Sequence, residues 1–390
     1  MCAAPLLSAC RSERPLIRIG LVIPLSGRDA SVGENILAAA RYAIAEANEE
    51  SLGQGLRFVL APEDEATLPE SLVTQARKLA ADRQNIGVVG YLSQGAVAAP
   101  IFAAADLPFL VLGTGPLPPP TPTGGGLRLH LAPSETAFVE ATTRLVTDTL
   151  RARRVAIARI APPDSGNLLV RIAESLTTAG LVVEPPAGPA ALPLAPPPDI
   201  VLVAGPALAA AEALLAIRSR GYAGRFICVD GCDTPDFLKV AGEQAARAMY
   251  LAVAPAPQHQ ALSAQSPPEP QSAPALPAHA RPNGAALGGE VADPAQRLSR
   301  SAREAWPMAA LAYDGVHILV TAARQSGARP TRQAVALALL ASPTPVPGAS
   351  GPLAWDQSGQ RQGGWPAVYE YAELRHPARL MRWPPGTPGS

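Results

Sequence analysis

Of the residues able to do chemistry, Asp230 has the most pointed setting, because RFICVDGCD places it after an apolar strand, before a glycine and between Cys228 and Cys232. An acid at a strand's end either caps the turn feeding Gly231 or faces a crevice and binds a ligand. The two thiols have no histidine nearby, so they do not form a zinc site. Their spacing admits a small disulfide in an oxidising compartment, with two buried thiols as the simpler expectation. Glu63 and Glu65 in APEDEATLPES could pair as acid and base, but the stretch reads as a solvated approach to a helix with Pro69 near its first turn. The five histidines are scattered, two of them in a proline-rich segment, and no Gly-X-Ser-X-Gly elbow appears. The loop GTGPLPPP, with Gly113, Thr114 and Gly115, fails as a phosphate loop because no helix and no lysine follow. These patterns suit holding a ligand better than transforming one. No catalytic residue, metal or cofactor is expected.

The elements that must position such residues alternate. IRIGLVIPLSGRDASVGENILAAARYAIAEAN, from Ile17 to Asn48, runs as an apolar strand, a Ser-Gly turn and an alanine-rich helix. Strands are expected at Leu56–Leu60, Ile86–Gly90 and Pro108–Leu112, with helices at Ser71–Asp82 and Gln94–Ala105. A second series follows: helix Glu135–Arg151, strand Arg154–Arg159, helix Asn167–Ala179, strands Leu181–Glu184 and Asp199–Val203, helix Leu208–Arg220 and strand Arg225–Val229. Met308 to Val320 has helical spacing, Arg332–Ala341 is a further helix, and Gly351–Trp355 and Ala367–Tyr371 are strand-like. Two βα series imply an α/β chain of two similar lobes, with ligands at the carboxyl ends of the strands.

Length and composition fit that outline. At 390 residues with 48% hydrophobic content, the chain can fill two cores. Lys plus Arg and Asp plus Glu balance at 32 each, and no basic block is interleaved with aromatics, so nucleic acid is not expected as a partner. No apolar run reaches the roughly 18 residues of a membrane span, and the mature chain is expected to be soluble. Of the 44 prolines, many crowd into 116–122, 185–198 and 255–282, which cannot be regular helix or central strand.

Five stretches, PLSGRDASVGE, NIGVVGYLSQGAVAAPIFAAADLPFLV, GRFICVDGCDTPDFLKVAG, ALAYDGVHILVTAA and GPLAWDQSG, resemble in order and spacing the branched-chain amino acid receptors, which are solute-binding proteins of ABC importers. The likeness implies the type I periplasmic binding fold: two Rossmann-like lobes with parallel sheets, joined by three hinge crossings near Ala132, Val253 and Pro347. It divides the chain into a leader and linker (1–14), lobe 1 (15–132 plus 303–346), lobe 2 (133–253 plus 347–375), a proline- and alanine-rich insertion expected to lack structure (254–302), and a disordered tail (376–390). Ligand binding is then expected between the lobes. Asp230 takes the place of the family's ammonium-binding acid. Ser93 and Gln94, at the start of a helix, take the carboxylate-binding place, with Gln94 where the family usually has serine. Gly113, Thr114 and Gly115 fall where a backbone carbonyl and a threonine hydroxyl serve. Val32, Asp164 or Ser165, and Pro206 stand where the family has aromatics, which weakens the case for an α-amino acid and leaves the architecture intact.

The resemblance also implies partners and a place. Leu7, Ser8, Ala9 and Cys10 resemble a bacterial lipobox, although Met1–Ala9 lacks a full signal peptide. The expectation is a reading frame that begins upstream, with Cys10 as a lipid anchor to the membrane. The protein is then expected in the periplasm or on the outer face of the bacterial envelope, delivering a small polar metabolite to ABC permease subunits. The competing expectation is an envelope lipoprotein that uses the fold to regulate a protein partner.

Overall fold

The computed structural model describes residues 15–27, 29–50, 55–65, 69–92, 95–115, 126–160, 167–255, 307–342 and 345–381. Lobe 1 is built on five parallel strands, β1 (Leu16–Ile23), β2 (Arg57–Asp64), β3 (Asn85–Gly90), β4 (Phe109–Val111) and β5 (Arg128–His130), in the order β2-β1-β3-β4-β5. All six residues of β3 are buried, as the apolar run NIGVVG requires of a strand covered on both faces. Helices α1 (Ala30–Glu50), α2 (Pro69–Ala81) and α3 (Gly95–Ala104) follow β1, β2 and β3.

Strand alternation separates two apolar layers. Val22, Val88 and Phe109 face Leu72, Leu79 and Phe102 of α2 and α3. Leu21, Val89 and Leu110 face the other way, towards α1. The alanine stripe of α1 at Ala39, Ala40, Ala43 and Ala47 is buried, and small side chains let a second helix lie close against it. That helix comes from far along the chain.

Lobe 2 repeats the plan with β6 (Arg154–Ile157), β7 (Val182–Val183), β8 (Ile200–Val203), β9 (Arg225–Cys228) and β10 (Met249–Ala252), flanked by α4 (Glu135–Arg144), α5 (Leu168–Thr178), α6 (Ala207–Ser219) and α7 (Pro235–Ala241). The chain then returns to lobe 1 as α8 (Pro307–Gln325) and α9 (Arg332–Ala341). Helix α8 lies along α1, with the Tyr42 and Tyr313 rings stacked at 6.1 Å and the Tyr313 hydroxyl donating to Glu46 Oε2 at 2.6 Å. Arg332 at the start of α9 donates to the carbonyls of Ala80, Asp82, Asn85 and Ala105, which pins that helix to lobe 1. The ribbon β11 (Ala354–Trp355) and β12 (Arg361–Gln362) follows. Finally β13 (Ala367–Glu370) and β14 (Arg379–Leu380) extend the second sheet antiparallel, in the order β14-β13-β10-β9-β8-β6-β7.

Several details depart from the sequence reading. The helix expected to reach Arg151 stops as α-helix at Arg144 and continues as a wider π turn over Leu145–Thr149. The expected disordered tail 376–390 instead begins with structure: β14 pairs Leu380 with Tyr369, Arg379 bonds Glu370 at 2.7 Å, and Ala378 N–H donates to the Tyr250 hydroxyl at 3.2 Å. Residues 382–390 lie outside the described residues, as do 1–14 with Cys10 and the whole of 256–306, which holds most of the expected insertion. Residues 349–362, expected in lobe 2, stay against lobe 1. Trp355 Nε1 donates to His130 O at 2.7 Å, and His130 N–H donates to Gly359 O at 2.8 Å. The chain joins the second sheet only at Ala367. Glu65 is buried rather than solvated, its Oε2 accepting from Leu92 N–H at 2.7 Å, and Glu63 pairs with Lys78 at 2.6 Å.

Where lobe 1 gives way to lobe 2, two buried charges linked through the Ser350 hydroxyl organise the connections. Asp314 on α8 accepts from Ala349 N–H at 2.6 Å and from the Ser350 N–H and hydroxyl at 2.9 and 2.5 Å. Arg361 donates to Leu131 O at 2.6 Å, Ser350 O at 3.0 Å and Pro352 O at 3.1 Å. Burial pushes the Asp314 carboxyl up to about 6 despite these bonds, and lowers Arg361 to about 10. Gly348 is required here, since a Cβ on it would lie 2.6 Å from Asp314 Oδ2. Replacing one partner strands the other: Arg361→Met is expected to cost about 3–5 kcal/mol, read as a lowered midpoint in urea unfolding.

Candidate functional site

The carboxyl ends of the two sheets face each other across a cavity of about 150 Å³. Lobe 1 lines it with Asp29 and Val32 at the start of α1, Leu92 after β3, Gly113 and Thr114 after β4, and Met308 on α8. Lobe 2 contributes Gly205 and Pro206 after β8, Asp230, Gly231, Asp233 and Thr234 after β9, and Leu251 and Val253 from β10 and beyond. Every contributing loop leaves a strand at its carboxyl end or enters a helix, the location that open parallel sheets reserve for ligands. The lobes also touch at the cavity's edge, where the Ser31 hydroxyl of α1 donates to Asp236 Oδ2 of α7 at 2.5 Å. Asp236 additionally bonds Lys239 at 2.8 Å.

Backbone approach sets these loops. A Cβ on Gly33 would sit 1.6 Å from Pro24 O, so the turn from β1 into α1 closes only around a glycine. A Cβ on Gly113 would meet Leu92 O at 2.1 Å, which brings the loop after β4 against the loop after β3. Gly231 has a φ of 79°, and a Cβ there would meet Gly205 O at 2.4 Å. Asp230 is thereby carried to the lobe 2 wall, its carbonyl accepting from Gly205 N–H at 3.2 Å.

Cys228 and Cys232 bracket that turn as a disulfide with Cα atoms 6.1 Å apart, which corrects the expectation of two free thiols. The three residues between them form a short loop once Gly231 reverses the chain, and both cysteines are buried in the lobe 2 core. The bridge fastens the Asp230 loop to the end of β9.

Of the residues singled out in the sequence, Val32, Gly113, Thr114, Pro206 and Asp230 come together in this cavity. Gly115 lines an adjoining hollow that shares Thr114 and is otherwise walled by Ser134, Glu135 and the β12 ribbon. Ser93, Gln94, Asp164 and Ser165 lie outside the described residues. The reading missed Asp29, Asp233 and Thr234. Asp233 and Thr234 sit in GCDTPDF, where Thr-Pro announces a helix start and so disguises the pair as a cap.

Asp233 is the unusual group. It is 9% exposed, its Oδ2 has no hydrogen-bond partner, and burial together with the Asp230 carboxylate raises its carboxyl from 3.8 to about 7. Thr234, 4% exposed, is the N-cap of α7, yet its hydroxyl makes no capping bond and no other. Among the described residues, no group of three or more His, Cys, Asp or Glu could hold a metal ion, and no helix is long and apolar enough to cross a membrane.

Residues 16–384 match the model of a family described as periplasmic binding protein. The chain belongs to that family. Its fold is found in a leucine-binding protein, LivK, from Thermotoga maritima, with a TM-score of 0.69, 16% identity and coverage of 94% of this chain and 98% of that one. LivJ from Streptococcus pneumoniae, a branched-chain amino acid transporter substrate-binding protein in complex with isoleucine, gives 0.66 at 16% identity, covering 91% and 95%. An ABC-transporter solute-binding protein from Rhodopseudomonas palustris, in complex with 3,4-dihydroxybenzoic acid, gives 0.64 at 16% identity, covering 91% and 92%. A comparison with curated proteins finds no match. In this binding protein the type I periplasmic fold read from the sequence is present.

The raised Asp233 carboxyl links the site to stability. Its native form holds a proton between about pH 4 and 7 that the unfolded chain releases, so its contribution to stability falls as pH rises through that window. Asp233→Asn is therefore expected to melt above the parent protein at pH 8, with the gain shrinking towards pH 4, in paired thermal scans.

Proposed function

We propose that this binding protein works outside the cytoplasm, capturing a small polar metabolite between its lobes and presenting the closed form to an ABC importer. The observation that carries the reading is the cavity between facing strand ends, walled by both lobes and carrying Asp230 on one side and Thr114 on the other. A ligand held from both sides stabilises closure, whereas one held by a single lobe shifts no equilibrium. The Ser31 to Asp236 contact spans the same gap and adds to the closed arrangement. Its role is that of a latch.

The volume fits a small metabolite. A space of roughly 150 Å³ holds a molecule of about benzene's size, well below drug-sized pockets. Val32 and Pro206 supply apolar surface without the hydroxyls or ring faces of an aromatic wall, so the pocket selects on shape and charge. Asp230 is assigned to a ligand ammonium, and Thr114 and the loop around Gly113 to its polar groups; Ser93 and Gln94, which precede α3 in the sequence, are assigned to a carboxylate where the ligand has one. No residue is assigned a catalytic role.

Location and partners follow the same reading. The Cys228–Cys232 disulfide suits an oxidising compartment, which agrees with the periplasm or the outer envelope face. Lipidation of Cys10 would tether the protein near ABC permease subunits that recognise the closed surface.

Titration calorimetry against amino acids, amides and short carboxylates, paired with small-angle scattering, tests the proposal. Binding accompanied by a smaller radius of gyration is expected, and Asp230→Ala should weaken the best ligand by at least about tenfold with the melting temperature little changed. Absence of both binding and compaction across the panel would count against it.

A further inference from the structure

The cavity wall is chemically lopsided. Three carboxylates, those of Asp29, Asp230 and Asp233, and two hydroxyls, those of Thr114 and Thr234, line it among glycines and apolar side chains. Among the described residues, no lysine, arginine or histidine does. Acceptors therefore outnumber donors among its described side chains, which suits a ligand that brings N–H or O–H groups.

Within this wall, Asp233 and Thr234 stand apart from the groups that structure alone explains. Both are more than nine-tenths buried, and Asp233 Oδ2 and Thr234 Oγ1 have no hydrogen-bond partner. A threonine at an N-cap ordinarily gives its oxygen to a backbone N–H of the first turn. Thr234 does not, although Thr331 at the start of α9 and Ser134 at the start of α4 do. Of the buried polar groups left without a partner among the described residues, these two alone line the cavity, and a bound ligand group would complete their bonding. Both residues line the cavity, on the same loop as Asp230.

We propose that Asp233 and Thr234 receive a second donor group of the ligand, beside the ammonium assigned to Asp230, and that the preferred ligand is a small aliphatic amine carrying a neutral amide or hydroxyl donor. The inference rests on the reading of the cleft as a solute site. It names the class that site takes, since a carboxylate in place of the neutral donor would bring negative charge towards the Asp230 carboxylate beside it, whereas an amide NH₂ donates to the Asp233 oxygen directly.

Three probes of similar carbon skeleton separate the possibilities in calorimetry on the full chain: valinamide with an ammonium and an amide, valine with an ammonium and a carboxylate, and isobutylamine with an ammonium alone. Valinamide is expected to bind at least about tenfold tighter than either of the others. Asp233→Asn and Thr234→Val should each weaken valinamide, the first by about tenfold, while leaving isobutylamine within about twofold. A thermal melt of each variant confirms that it is folded. Valine binding as tightly as valinamide, or valinamide affinity unchanged in Asp233→Asn, would overturn the donor assignment while leaving solute capture intact. No heat with any of these probes or with any member of the wider panel would overturn both.

Discussion

A carboxylate and a guanidinium withdrawn from water, Asp314 and Arg361, hold together the segments from which the two lobes diverge. Asp314 sits on α8 of lobe 1 and fixes the backbone at Ala349 and Ser350; Arg361 takes up carbonyls at Leu131, Ser350 and Pro352. The first exit from lobe 1, the long return helix and the last connection are thus tied at one point. Such a pair contributes little net energy compared with a well-packed apolar core. Its consequence is geometric, because every charge-assisted bond is spent on a particular backbone position, and the opening of the cleft depends on where those positions lie.

From that junction the apolar core runs continuously. Leu129 and Leu131 of lobe 1, Phe138 of α4 and the inner residues of β6 and β8 belong to one buried cluster. The lobes therefore share a packed floor and meet again at the rim through Ser31 and Asp236. Between floor and rim, the close approaches at Gly33, Gly113 and Gly231 hold the loops of the cavity wall tight against neighbouring backbone. The resulting cavity takes its charge from the loop after β9, held to its strand by the Cys228–Cys232 bridge.

Long periodic elements were readable from the residues alone, and short ones were not. The helix Arg332–Ala341 agrees at both ends, because Thr331 caps it and its apolar spacing is regular. The strands β5, β12 and β14, of two or three residues, carry no periodicity, and β10 lies in MYLAVAPAP, where the prolines hide it. Much of the cavity lining was legible because Gly113, Thr114, Pro206 and Asp230 follow recognisable apolar strands. Asp233 and Thr234 were not legible, since a Thr-Pro helix start looks complete in sequence. Only the fold reveals that the threonine leaves its capping bond unmade and that Oδ2 of the aspartate beside it is buried without a partner.

The central claim is that a ligand contacting both walls draws the lobes together. Spin labels on the exposed Arg77→Cys of α2 and Glu212→Cys of α6, in a chain with Cys2 and Cys10 changed to serine, report that distance directly by pulsed electron resonance. The account predicts a broad distribution for the free protein that collapses to a single, shorter distance when a panel ligand saturates it. A distribution that is the same with and without bound ligand would contradict it.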